Sequence, residues 1–428
     1  MVKHDVVIIG AGVSGLATAY HIKRLKPDDD VLLVDRYGTA GQGNSGKSAA
    51  CFRCFFASRT NLKLAGTSIR FYEHVQEDLN YDLMMKFHGY LWLLSEDRYK
   101  EIKRDLKTLP SMSIKYEEYD EEFLTRSLNM NTKVSGDEEA RYIGLPDISH
   151  GVLIKDAGSL DPDSLVRFYE ERARELGVKI SYEVEVKSLL PEPKEKLGLP
   201  REPFFWQEPK VSGVKTSEGV YNANKIIVAA GAWSPKLLDP LGVDCHIKPK
   251  KRQIFALRAE TDDLKKLMYV KGFNPEGIAP FVIFPKYTLW IKPVPKEDSF
   301  WVGYADDFPR AFKVEDDPQP ERHFWECGIY PILIKYFPQF KEVKPFNSWA
   351  GQYAYNTIDC QPLIFEEHNL IFVGGGSGSG IMKADAMGRI AAALYAGEEY
   401  AELYGGEKFK VSDLGIKDRK TEIEKLVI

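Results

Sequence analysis

Long apolar runs are missing from this chain. No stretch approaches the roughly 18 consecutive apolar residues that a membrane-spanning helix needs, so a span is not expected. Cysteine is scarce, five in 428 residues, which excludes a disulfide-dense secreted scaffold. A basic excess is missing too: 58 Lys plus Arg face 63 acids, for a net charge of −5. Nothing in that balance would drive binding to nucleic acid or to an anionic membrane by counterion release. Glutamine occurs only eight times while Lys, Glu and Arg abound, a bias of heat-adapted proteins, so the composition leans thermophilic. The first residues, Met1 to Asp5, lead into a short β-branched run and then glycines, not into the apolar core of a secretion signal. With 44% apolar residues and 28% charged ones of both signs, the chain reads as a soluble, cytoplasmic protein of two or three domains.

The opening residues carry a specific arrangement. Val6–Ile9 reads as a strand buried on both faces. It runs into Gly10-Ala11-Gly12-Val13-Ser14-Gly15, a GxGxxG pattern, followed by a helical stretch to Leu25 and a second apolar strand, Val31–Val34, that ends in Asp35 and Arg36. Gly10 permits the tight turn, Gly12 lets backbone approach a pyrophosphate, and Gly15 lets the helix lie against the sheet. The helix start at Val13 and Ser14 offers unpaired amides to phosphate. Asp35, twenty residues beyond Gly15, is placed to accept bonds from ribose hydroxyls. Because an acid and not an arginine fills that position, NADP is disfavoured.

Glycines alone do not separate NAD from FAD; three later segments do. Gly41 to Ala50 is a small, polar run containing Ser45, Lys47, Ser48 and Ala49, suited to passing along an extended cofactor. Lys225–Val228 is a buried strand that leads into Ala229-Ala230-Gly231-Ala232-Trp233. Near the C-terminus, the strand Leu370–Val373 meets Gly374-Gly375-Gly376-Ser377-Gly378-Ser379-Gly380, and a helix follows from about Ile381, through Met382 and Lys383, to Tyr395. A second helix N-terminus beside a glycine loop would stabilise the negative charge that a flavin gathers on reduction. Val186, in a strand expected over 178–190, joins the cofactor set. FAD is the cofactor expected.

These segments resemble the D-amino-acid oxidase / sarcosine oxidase superfamily of FAD-dependent oxidoreductases. The resemblance rests on the first glycine pattern, "NSGKSAACFR", "AAGAW" and "GGSGSGIMKADAMGR". The runs "PKKRQIF", "SFWVGYADDF", "DPQPE", "WAGQY", "SGSGIMK" and "ELYGG" further resemble archaeal dye-linked L-proline dehydrogenases of that superfamily. The resemblance implies an α/β fold: a Rossmann-like FAD-binding domain from 1–80, 150–235 and 345–428. A discontinuous substrate domain, from 81–149 and 236–344, would form an antiparallel sheet over the flavin. Strands are expected at Tyr90–Leu94, Gln253–Leu257, Phe281–Phe284, Tyr287–Ile291 and Phe300–Tyr304, and helices at Leu62–Leu79 and from Asp161-Pro162 to Gly177. The proline-rich 191–210 reads as a surface excursion.

Amine oxidation by a flavin asks the protein for a carboxylate-binding cation and an apolar cage. Arg53, directly after the flavin-wrapping loop, is the leading cation. Lys383 is a second candidate, since sarcosine oxidases use a lysine in the last glycine loop, although here Met382 takes that register. Tyr304, Tyr353 and Tyr355 are candidate walls. Where sarcosine oxidases tether their flavin through cysteine, this chain has Gln352, so FAD should be non-covalent. Cys51 and Cys54 spell CxxC without partners for a metal, and no metal is expected. The tail ends in Leu426-Val427-Ile428, and Ile428 is expected to fold back and line the flavin entrance. The function expected is an FAD-dependent dehydrogenase of a secondary amino acid such as L-proline, its electron acceptor a carrier or dye. A sarcosine, glycine or D-amino-acid oxidase using oxygen, or a non-catalytic flavin subunit, is the alternative.

Overall fold

The parallel strands Lys3–Ile9, Val31–Val34, Val220–Val228 and Leu370–Gly374 lie side by side because their cores are continuous β-branched and aromatic runs, buried on both faces. In this computed structural model, residues 3–107, 109, 114–286, 288–306, 310–417 and 419–424 are described. The first sheet runs, in order, 363–367, 370–374, 220–228, 3–9, 31–34 and 179–181. Ile8 faces Leu33 on one side and Ile227 on the other. The strand 370–374 joins 220–228 in parallel through Ile227 and Ile371.

Four helices matter for the site. Helix α1, Val13–Leu25, follows the first glycine loop directly. Helix α2, Arg59–Glu77, starts at Ser58, whose hydroxyl accepts from the Asn61 amide. Helix α3, Pro162–Glu175, is capped by Asp161. Helix α4, Ala384–Ala396, begins three residues later than the sequence indicated, because Ile381–Lys383 forms a separate tight turn. Helices α1 and α4 cross at Gly388, where a Cβ would stand 2.7 Å from the Ala17 carbonyl carbon.

The second sheet has eight strands in the order 347–356, 247–258, 299–304, 289–294, 281–283, 90–94, 150–154 and 116–120. It is antiparallel except where 281–283 meets 90–94. Two segments that the sequence assigned to the nucleotide-binding part belong here. His150–Ile154 pairs with 90–94, and Asn347–Asn356 pairs with 247–258 over ten register positions. The sequence marks neither segment as a strand of the second sheet, because sequence position alone does not say which sheet a short apolar run joins.

Two further readings change. The strand expected over 178–190 breaks into 179–181 and 186–193, with Glu183 at a φ of 59° between them. The surface excursion expected at 191–210 is the outer part of a long hairpin: Pro193 pairs with Pro209, and 194–208 forms the largely exposed tip. Proline is tolerated at such an edge, where no ladder amide is required. The expected strand at Tyr287 begins at Leu289, and Tyr287 itself lies outside the described residues. Among the described residues, no helix is long and apolar enough to cross a membrane.

The α1–α4 crossing leads to a stability prediction. Gly388→Val puts atoms where Ala17 backbone stands and should destabilise the protein by about 1–3 kcal/mol. The check is a lowered denaturant midpoint relative to wild type.

Candidate active site

A cavity of about 400 Å³ takes its walls from both sheets and from the loops at the ends of the parallel strands. At one end stands the first glycine loop. Gly10 has a φ of 108°, and a Cβ there would lie 2.6 Å from the Ala229 carbonyl oxygen. Gly15 does not line the cavity; a Cβ on it would lie 1.9 Å from the Gly10 oxygen, so its bareness lets α1 sit close to the loop. The Val13 amide donates to the Ser45 hydroxyl at 3.0 Å, which caps α1 from the second loop.

Asp35 holds this end together. Its two carboxylate oxygens accept from the Ala11 amide at 2.6 Å and the Tyr37 amide at 2.9 Å. Burial raises its pKa, and the backbone amides pull it back. The Arg36 guanidinium lies 4.6 Å from the Trp233 ring centre and 4.8 Å from that of Tyr37, making a flat wall with Val186 nearby in the cavity lining.

The run 41–50 is pinned to the second sheet. Asn44 accepts from the Gln352 amide at 2.8 Å, the Lys47 carbonyl from the Trp349 indole at 3.0 Å, and the Ala49 carbonyl from Lys292 at 2.6 Å. Ser45, Lys47, Ser48 and Ala49 therefore line the cavity as a fixed strip. Ala230, Gly231 and Trp233 line it from the end of the central strand.

The last glycine loop brings in Gly376, Ser379, Gly380, Ile381 and Met382. A Cβ on Gly378 would meet the Tyr353 ring at 2.4 Å, so this loop and the second sheet touch only because the side chain is absent. Behind it, the Tyr72 hydroxyl donates to the Ile381 carbonyl at 2.8 Å and fixes the turn.

At the far end lie Arg53, Phe56, Tyr90, Arg252, Phe281, Trp290, Tyr304, Tyr353 and Glu424. Phe281 stacks on Tyr90 at 4.5 Å and on Trp290 at 5.3 Å, forming an aromatic wall. Arg53 is only 4% exposed; burial lowers its pKa, opposed by the Glu424 carboxylate. Arg252 donates to the Tyr355 hydroxyl at 2.7 Å and lies over the Tyr353 ring.

One expected site residue is displaced. The Lys383 side chain is fully buried outside the cavity lining, with its ammonium donating to Asn61 Oδ1 at 2.6 Å. The register that gives Met382 to the cavity turns Lys383 away from it. Ile428 lies outside the described residues. Cys51 lines the cavity with its thiol pushed up by burial, whereas Cys54 does not line it. Gln352, at the expected tether position, spends its side-chain amide on the Lys313 carbonyl at 2.6 Å and the Glu315 amide at 3.1 Å. Among the described residues, no group of three or more His, Cys, Asp or Glu could hold a metal. Sequence reasoning missed Tyr90, Phe281 and Trp290, which read as ordinary strand packing, and Arg252. The only signal for Arg252 was three consecutive charges, Lys250 to Arg252, inside a strand.

The residues fit FAD. Bare backbone stands where a side chain would collide, an acid faces the first loop, and amide-bearing turns lead into both α1 and α4. A profile of the family described as "DAO: FAD dependent oxidoreductase" matches residues 5–394. The chain belongs to this family. It is an FAD-dependent oxidoreductase. It is 26% identical over 421 residues to "FAD-dependent oxidoreductase domain-containing protein 1" of Bos taurus, covering 92% of this chain and 81% of that one. It is also 26% identical over 353 residues to sarcosine oxidase subunit beta of Rhizobium meliloti, covering 81% and 73%. The L-proline dehydrogenase from P. horikoshii has the same fold, with a TM-score of 0.72 at 21% identity over 92% of this chain and 94% of that one.

In this oxidoreductase, Asp35→Ala should weaken FAD retention by roughly ten- to a hundredfold, the worth of about 1.5–3 kcal/mol in charge-assisted hydrogen bonds. Flavin content after dialysis measures it, and the KM for substrate in the refilled enzyme should change little.

Proposed function

We propose that this protein is an FAD-dependent dehydrogenase of a secondary amino acid, L-proline foremost, working in the cytoplasm with a carrier as electron acceptor. The observation that carries the reading is a buried guanidinium, Arg53, lining the same cavity end as the aromatic wall Tyr90–Phe281–Trp290. Bound FAD supplies the two-electron acceptor for oxidation of the substrate's C–N bond. Arg53 binds the carboxylate with two parallel N–H donors. The three rings enclose an apolar ring body and exclude water. Tyr304, Tyr353 and Met382 complete the walls. Glu424, the one carboxylate lining this end among the described residues, has its oxygens committed to three N–H donors and is not a general base. The substrate amine therefore arrives already neutral, so kcat/KM rises with pH. The resemblance of sequence runs to dye-linked enzymes supports the dehydrogenase reading over an oxidase.

FAD is held without a covalent bond in this reading, since Gln352 stands where the tether would be. Acid precipitation should leave the yellow colour in the supernatant; flavin that stays with the polypeptide contradicts it. With an artificial dye as acceptor, L-proline should be turned over faster than sarcosine, glycine or D-amino acids, with little peroxide formed in air. Arg53→Gln should raise KM about ten- to a hundredfold with a smaller change in kcat, consistent with loss of a charge-assisted pair. An unchanged KM would remove Arg53 from the site, and stoichiometric peroxide would make the protein an oxidase.

A further inference from the structure

The last described residue, Glu424, is only 4% exposed, although 420–423 before it lie in solvent. It is brought inward by a short strap with its own fastenings. Arg419 makes a two-pronged pair with Asp359 at 2.7 and 2.8 Å, and both side chains are buried. Gln361 Nε2 donates to the Glu422 carbonyl at 2.5 Å, the Arg59 amide to the Glu422 carboxylate at 2.9 Å, and the Glu424 amide to the Asp359 carbonyl at 3.0 Å.

The Glu424 carboxylate then caps α2. It accepts from the Ala57 amide at 3.0 Å, the Ser58 amide at 3.1 Å and Asn61 Nδ2 at 3.2 Å. The same Asn61 side chain accepts, through Oδ1, from Lys383 at 2.6 Å. One amide thus bridges a buried anion and a buried cation. The Lys383 ammonium and the Arg53 guanidinium both lie 4.9 Å from the centre of the Phe56 ring. Two cations consequently share one aromatic ring at the cavity wall, and Glu424 is the carboxylate brought to them.

We propose that Glu424 is a positioning residue of the substrate site: reaching in on the C-terminal strap, it sets the charge carried by the Arg53–Lys383 pair, and with it the grip on a substrate carboxylate. This rests on the reading of Arg53 as the carboxylate cation. Arg53 makes the contact; Lys383 acts from behind Phe56 through its field, and Glu424 governs Lys383. The groups facing Lys383 are Glu424 from the strap, Arg53 from strand 51–53, and Asp359 and Cys360 from the loop after strand 347–356. Burial, the largest cause, lowers the ammonium pKa, Glu424 raises it and Arg53 lowers it, with about 7 as the net. Asp359 is already engaged by Arg419. Without the Glu424 charge, Lys383 gives up its proton at lower pH. The attraction that Lys383 adds is present below its pKa and disappears as pH rises through it.

The test is titration of the holoenzyme with acetate, followed by the flavin absorbance, from acid to alkaline pH. In wild type, affinity should step down severalfold as pH rises through about 7. In Glu424→Gln the step should move down by about one unit or more. Glu424→Asp should keep it near the wild-type position, and Lys383→Met should abolish it. Flavin content and Tm are recorded for each variant. A Glu424 that served only as a helix cap would lower Tm and leave the midpoint in place. A wild-type midpoint in Glu424→Gln, or a surviving step in Lys383→Met, overturns this inference and leaves the substrate reading standing. Acetate that fails to perturb the wild-type flavin at any pH overturns both.

Discussion

A helix N-terminus can serve a phosphate or a flavin only if no Cβ stands between its amides and the ligand, and this fold meets that condition near both ends of the chain. Gly10 and Gly12 clear the start of α1, Gly15 lets that helix sit against the loop, and Gly376 and Gly380 keep the turn before α4 bare. The two loops meet because strands 3–9 and 370–374 both lie parallel to 220–228, one on each side. Their following loops therefore leave the sheet at the same end, where ligands of open α/β sheets bind. The helices that begin there must also pass one another closely, which Gly388 against Ala17 allows. Close approach of bare backbone is the constraint on which the cavity rests.

The second sheet converts that nucleotide cradle into a reaction chamber. Its strands 90–94, 281–283 and 289–294 supply the stacked Tyr90, Phe281 and Trp290, and 247–258 supplies Arg252. The strip 41–50 belongs to neither sheet and is held by bonds to Gln352, Trp349 and Lys292 of the second one. A loop rich in small residues could not hold its own shape; these contacts fix it along the cavity. The C-terminal strap adds Glu424 to the lining.

Much of the cofactor end was legible in the sequence because its physics is local. Strand, glycines, helix and terminal acid follow one another within the first 35 residues, and each residue type has one reason to be there. The last loop was legible for the same reason, except that Lys383, a candidate cation, is turned away from the cavity that Met382 lines. The substrate end was not legible in that way. Tyr90 stands about 200 residues before Phe281 and Trp290, and each alone looks like core. The membership of 150–154 and 347–356 in the second sheet was hidden as well, since a short strand-forming run does not name its partner. Glu424 gave no signal, because its significance comes from α2 and Asn61, more than 360 positions away.

The central claim is that one cavity joins a flavin cradle to an amino-acid site. It is tested most directly by adding L-proline to the yellow holoenzyme under anaerobic conditions and watching the flavin absorbance. The account predicts that L-proline bleaches the flavin and that an added dye restores the colour. A spectrum that neither L-proline nor any other amino acid alters would contradict it and leave a flavin protein without amine chemistry of its own.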